Sequence, residues 1–396
     1  MASAPQQNPG QMNLMARGLV TGRAIKRTQS IYRKTTDPST EPVVQIEPRN
    51  TGLLLGFQVN VTYNVAVAGG GTALTRTPYG AANSFKNITF FDLNNNSRIN
   101  TSGRHLHLLN SMRSGRPYLG VDTFTDYPVG YGDFNTTLVE AAASIAAGAN
   151  SDVAMTYFVP IAYSEKDTRG AIYAGVVNAT MSLQLTMQAA AVAARTLTGW
   201  SEAVYCTADS TTAPAGVTLG NFTIEVLQVY YDQLPMNPNN GQVILPALDL
   251  AVNYEAKETS VSGVTANTDF SIPYSNFRDF ASTIITYRNR VNANGFMNPG
   301  DVNTWALRSA NFTDIFEVRE RWAQSWNRQI YGLDLPNGVF AFQTREKPVS
   351  TVQFGNMEIV LNASDAQTGA NCLVGYEAFS LTNTIGNAAS LAGGAG

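Results

Sequence analysis

The sequence predicts an all-β protein made of two domains of one design. Three observations carry that prediction: period-two strand patterns along most of the chain, an order of elements that recurs about 190–200 residues later, and charged residues at only 14% of 396. A chain of this length exceeds one ordinary core and suits two domains of roughly 150–200 residues, for which the 44% apolar content is ample. Typical soluble domains carry roughly 25% charged residues. A chain this poor in charge is expected to cover much of its surface with partners.

Taken in order, the first segment is basic. Arg17, Arg23, Lys26, Arg27, Arg33 and Lys34 precede the first acid, Asp37, while the remainder carries 20 basic and 29 acidic residues. This asymmetry marks an anionic partner for the arm alone. Met12, Met15 and Leu19 trace one side of a short helical pattern, but Gly10, Gly18 and Gly22 argue against a long rigid helix. The arm is therefore expected to order only against a partner.

Strand signals follow. LLLGFQVNVTYNVAVA (53–68) sets Phe57, Val59, Val61 and Tyr63 on one face, and MSLQLTMQ (181–188) alternates without a fault. NITFFDL, VAMTYFVPIAY, FTIEVLQVYY, STIITY, GVFAFQT, MEIVLN and CLVGYEAF complete the set, with Gly, Asn, Pro and Thr clusters between them. Many short strands with polar connections predict a sandwich or barrel. Two helices interrupt them. Ser102 can cap one running to about Ser114, with Gly115 and Pro117 as its stop. The second is expected from Asp314, with Glu317 in capping-box position, to near Gly332; Ile315, Val318, Trp322, Trp326 and Ile330 form its apolar stripe.

The doubling is faint but ordered. Phe85-Lys86-Asn87 leads into ITFF, and Phe277-Arg278-Asp279 leads into STIITY; YSEKDTRG precedes MSLQLTMQ, as QTREKPVS precedes TVQFGNMEIVL. The Pro- and Asn-rich stretch YYDQLPMNPNNGQVILP lies between the copies. This reading gives a basic arm at 1–40, a first β-domain at 41–235, a linker at 236–246, a second β-domain at 247–385 and a flexible tail at 386–396.

The residues that could carry chemistry are few. The only histidines, His105 and His107, stand two apart on a predicted helix, so they point about 200° apart and cannot share a metal. The HxH metal motif of the cupins needs a glycine six residues before the first histidine and a glutamate four or five after the second. Ile99, Ser111 and Met112 stand there, and no third histidine exists. GGG at 69–71 lacks the Lys-Ser/Thr of a phosphate loop, and no GxSxG occurs. Cys206 and Cys372, with no CxxC spacing, read as small buried hydrophobes. Glu140, Glu165 and Asp167 read as solvated or ion-paired acids. No run is long enough for a secretion signal or a membrane span. The expectation is no enzyme, no metal and no cofactor.

Five segments, TSGRHLHLLN, AYSEKDTRGA, YYDQLP followed by ILPALDL, ANFTD and GYEAF, together resemble the major capsid proteins of tectiviruses, icosahedral phages with an internal membrane. The match runs with gaps over most of residues 45–380, and departs most in the arm and the Ala/Thr-rich insert around 188–217. The resemblance implies a double jelly roll, two eight-stranded β-barrels in tandem with a few connecting helices. It implies a homotrimer whose six barrels make a pseudo-hexagonal tile over an internal viral membrane. The partners it implies are neighbouring capsomers, minor capsid and vertex proteins, and that membrane through Arg17, Arg23, Lys26, Arg27, Arg33 and Lys34. No direct nucleic-acid binding is expected, because the membrane separates shell from genome. The chain would reside in the virion capsid, and in host cytoplasm before assembly. His105 and His107 become structural residues of a connecting helix. The alternative is a glycan- or receptor-binding jelly roll, a spike or lectin-like protein, with Tyr79, Tyr118 and Tyr127 as its aromatic platform.

Overall fold

The computed structural model describes residues 8–77, 79–114, 139–175, 180–189, 194–195, 202–207, 213–274, 279–288, 300–309, 312–331, 335, 338–343, 349–350, 357–366 and 370–381. Gly115, Pro117, Tyr118, Tyr127, Gly332 and the tail at 386–396 lie outside the described residues.

Sixteen strands form the frame. In the first half they are β1 (Ile25–Thr36), β2 (Val43–Ile46), β3 (Leu53–Val67), β4 (Phe85–Phe91), β5 (Ser97–Thr101), β6 (Asn150–Pro160), β7 (Ser182–Met187) and β8 (Phe222–Asp232). In the second they are β9 (Val252–Ser262), β10 (Asp269–Tyr274), β11 (Asp279–Arg288), β12 (Val302–Ser309), β13 (Phe312–Arg319), β14 (Val339–Gln343), β15 (Met357–Ala363) and β16 (Asn371–Leu381). Shorter strands decorate the loops. The helices are α1 (Pro9–Arg23), α2 (Gly103–Ser114), α3 (Ala247–Leu250) and α4 (Glu320–Tyr331).

Period-two patterning makes the strands that meet the core on one face, because alternate side chains reach opposite faces; β6 and β11 are instead buried on both. Along β7, Leu183, Leu185 and Met187 are buried while Ser182, Gln184 and Thr186 are half-buried. The pairing orders are β1-β8-β3-β6 and β2-β7-β4-β5 in the first half, and β9-β16-β11-β14 and β10-β15-β12-β13 in the second. Raising each strand number of the first pair of sheets by eight gives the second pair. This is a jelly roll built twice, as the resemblance implies. One link ties the copies: β5 lies parallel to β9, Ile99 opposite Ala256 and Asn100 opposite Lys257, so one sheet runs through both barrels.

Three expectations change. First, residues 25–36 are the outermost strand of the first barrel, in register with β8 from Ile25–Asp232 to Thr36–Phe222 with one bulge. The barrel therefore begins inside the segment read as an arm. Residues 9–23 fold as α1 despite its glycines, since Asn8 caps it through Gly10 N at 3.0 Å and Val20 is buried beside Leu53, Leu55 and Tyr231. Second, the helix expected from Asp314 starts at Glu320; Phe312–Arg319 is strand β13, where Phe316 and Val318 are half-buried and Glu317 and Arg319 exposed. Third, β4 corresponds by topology to β12, not to the STIITY strand β11, so the repeat is real but its first pairing slips by one strand.

Candidate functional site at the seam between the barrels

Helix α2 follows β5 and closes the space between the barrels. Ser102 caps it: its Oγ accepts from His105 N at 3.2 Å, and its carbonyl accepts from Leu106 N at 3.1 Å. Leu106, Leu108, Leu109 and Met112 are buried in the core. Asn110, fully buried, donates through Nδ2 to the Phe158 carbonyl on β6 at 3.0 Å. The helix thereby has its remaining face free to meet β9 and β16 of the second barrel.

That contact is charged and buried. Glu258 on β9 accepts from Arg104 at 2.7 Å through Oε1 and from Ser102 N at 3.1 Å through Oε2. Burial opposes its charge, but Arg104, His105 and these bonds outweigh burial and hold the carboxyl at about 2. The Arg104 guanidinium also covers the Tyr79 ring at 5.1 Å. At the other end of the helix, Arg113 donates to Glu377 on β16 through Nε at 3.0 Å and through its terminal nitrogen. Glu377 further accepts from Tyr254 Oη at 2.6 Å and from the Ser282 hydroxyl. Burial works against the Arg113 charge, and Glu377 more than offsets it, raising the guanidinium's pKa. An isolated buried charge is costly; here each has a partner and further hydrogen bonds.

Between the two ion pairs sits His105, whose ring lies against Gly375. A Cβ at 375 would come within 1.9 Å of His105 Cε1, so only glycine admits the ring. Both histidines are buried. Burial lowers the His105 pKa, with Glu258 pulling the other way, and lowers His107 to about 4. His105 Nε2 has no hydrogen-bond partner among the described residues. Among those residues no group of three or more His, Cys, Asp or Glu is placed to hold a metal. Cys206 and Cys372 are free and buried, and burial pushes their thiols up to about 11 and about 12. Buried thiols held in the protonated form are poor nucleophiles, and these two pack as small hydrophobes. The geometry of the seam clamps two barrels together.

The basic residues expected to face a partner are largely turned onto their own chain. Arg17 donates to both Asp249 oxygens, at 2.7 and 2.5 Å, and lies 3.4 Å from Asp167. Its hydrogen bond to Asp249 raises its pKa. Asn13 Nδ2 and Thr168 Oγ1 donate to the same carboxylate at 2.8 and 2.6 Å, so α1 is pinned to α3, where the second barrel begins. Lys26 pairs with Glu165 at 2.7 Å, Arg27 with Asp232 at 2.8 Å and Lys34 with Glu41 at 2.7 Å. Arg23 and Arg33 are exposed and make no ion pair among the described residues. Four of the six charges are thus paired, three of them by acids more than a hundred residues away in sequence, which local composition does not show. Tyr79, offered as part of an exposed aromatic platform, is buried.

Sequence reasoning missed Glu258, Gly375, Glu377 and Asp249, yet a signal was present. GYEAF contains Gly375 and Glu377, ILPALDL contains Asp249, AYSEKDTRGA contains Asp167 and Thr168, and TSGRHLHLLN contains Ser102, Arg104 and His105. TSGRHLHLLN, AYSEKDTRGA, ILPALDL and GYEAF, four of the segments that carry the family resemblance, thus meet where the barrels join.

Comparisons with known proteins agree with that pattern. The sequence matches the family model for the P3 major capsid protein N-terminal region over residues 21–234 and that for the C-terminal region over residues 251–393. It is 34% identical over 386 residues to the major capsid protein P3 of Enterobacteria phage PRD1, covering 96% of this chain and 93% of that protein. Among solved structures it is similar to the STIV MCP, from Sulfolobus Turreted Icosahedral Virus, with a TM-score of 0.62 at 13% identity over 90% of this chain and 97% of that one. It is also similar to PBCV-1 VP54, with a TM-score of 0.53 at 11% identity over 91% and 95%.

Proposed function

This chain belongs to the P3 major capsid protein family, and from that premise we propose that it builds the virion shell as a homotrimer. It is a structural protein of the capsid and not an enzyme. Three copies of a tandem pair set six similar barrels around one axis, which approximates six-fold symmetry with a single gene product. The observation that carries this reading is the rigid duplication: two barrels of equal topology, locked by a shared sheet and by the ion pairs of α2. A loosely joined pair would not hold a hexagonal outline.

The N-terminal helix supports a second element of the proposal, contact with an internal membrane. Met12, Leu14 and Met15 on α1 are exposed, as is Leu248 on α3. With Arg17 engaged by Asp249, basic attraction falls mainly to Arg23, at roughly 1 kcal/mol per residue near an anionic leaflet, multiplied over three arms. Apolar side chains therefore carry more of this contact than the composition of the arm implies.

Light scattering on the purified full-length chain tests the proposal. The expected mass is three times the 42.6 kDa chain, and these trimers are expected to float with vesicles containing anionic lipid and to be partly released by salt. A monodisperse monomer at micromolar concentration overturns the trimer. Trimers that ignore vesicles of every composition overturn the membrane contact alone.

A further inference from the structure

Helices α2 and α4 are equivalent. Each follows the strand that ends the same sheet edge, β5 and β13, and each is twelve residues long. Their registers align without a gap. The eighth residue of each is a fully buried asparagine facing the equivalent strand. Asn110 donates to the Phe158 carbonyl on β6 at 3.0 Å, while Asn327 lies 3.5 Å from the Val339 carbonyl and 3.4 Å from Ala341 N on β14. On this alignment Trp322 holds the position of His105, and Ile330 that of Arg113.

The two helices differ in what covers them. His105 and Arg113 are buried against the neighbouring barrel of the same chain. Trp322 is 57% exposed and Ile330 39% exposed, though large apolar side chains are among the residues most often buried. The sheet edges repeat the contrast. β5 is joined in parallel to β9, whereas its equivalent β13, and β1, the equivalent of β9, each end their sheets among the described residues. One chain thus offers a helix with its following barrel missing, and a barrel edge with its preceding helix missing.

We propose that Trp322 and Ile330 of α4 seat on the outer face of β1 and β8 in a second copy of this chain, repeating between chains the contact that α2 makes within one. On β8, Phe222, Ile224 and Val226 are buried in the core, and Thr223, Glu225 and Leu227 alternate away from it, half-buried. Arg33 of β1 stands opposite Glu225. The contact is heterologous, since helix meets sheet, and a heterologous contact closes into a ring when its rotation allows. The inference rests on the trimeric reading and adds which surfaces join.

Trp322→Glu and Leu227→Glu, made separately in the full-length chain, test the two sides of the contact. Each is expected to weaken association by about 30-fold or more, as removal of a central interface anchor does, with far-UV circular dichroism unchanged. Met236→Glu, at an exposed apolar residue elsewhere, is expected to leave the trimer as it is. If wild type is trimeric and both variants associate as tightly, the inference falls and the trimer stands. A monomeric wild type removes both. Should a variant fail to fold, the pair Trp322→Cys and Leu227→Cys in one chain, treated with a short bismaleimide, replaces it. A ladder of cross-linked chains supports the contact, and its absence from a trimeric sample overturns it.

Discussion

A glycine, two histidines and two glutamates decide the seam, and their roles depend on partners far along the chain. Gly375 reads as a residue that weakens a strand until its neighbour is known; the His105 ring then explains it. The helix that carries the histidines was legible from its cap and apolar spacing, but their burial was not. That burial has a measurable consequence. Above about pH 6.5 the imidazole of His107 is neutral whether the chain is folded or not. Below it the unfolded chain binds a proton that the folded chain refuses until about pH 4. Stability therefore falls as pH drops from about 6.5 to about 4. Glu258, held at about 2, adds a further loss below its ordinary range near 4.5, as pH approaches 2. Urea midpoints measured from pH 7 to 4 are expected to decline in wild type and to decline less in His107→Gln. An equal decline in both would assign the acid sensitivity elsewhere.

Strands were the most legible elements: alternation is clear in β2, β3, β7 and β8, and where both faces are buried, as in β6 and β11, a short apolar run between polar loops marks the strand. β13 was not. Its four residues Phe316-Glu317-Val318-Arg319 alternate, yet Ile315, Val318, Trp322 and Trp326 also recur at helical spacing across the strand–helix boundary, and a short window fits both periods. α1 was misjudged for a different reason: its glycines lower helix propensity, and the docking of Asn13 and Arg17 on Asp249 overrides that cost. The docking of α2 can be dissected. Arg113→Met leaves Glu377 charged in a buried site and is expected to cost about 3–5 kcal/mol. Arg113→Met with Glu377→Met removes both charges and is expected to restore much of that loss, since Tyr254 and Ser282 keep neutral hydroxyls. Chemical denaturation of the two variants checks this; a double variant no more stable than the single one would show that the ion pair is not what makes the contact costly to break.

At the scale of the molecule, duplication was legible and the join was not. The order of elements repeats in the sequence, but the β5–β9 pairing links residues more than 150 positions apart and leaves no local mark. Because one sheet passes through both barrels, they are expected to unfold together, as a single calorimetric transition with van't Hoff and calorimetric enthalpies in agreement. Two resolved transitions would mean that the barrels melt as separate units. The parallel link has a mechanical side as well. Outward pressure from a filled particle tries to fold a two-part tile along its mid-line, and here that line is crossed by backbone hydrogen bonds, a buried helix and two ion pairs. Among the described residues that mid-line has no hinge. The tile stays flat under load, so any bending of the shell has to be taken up at the joints between tiles, where the contacts are made anew in each particle.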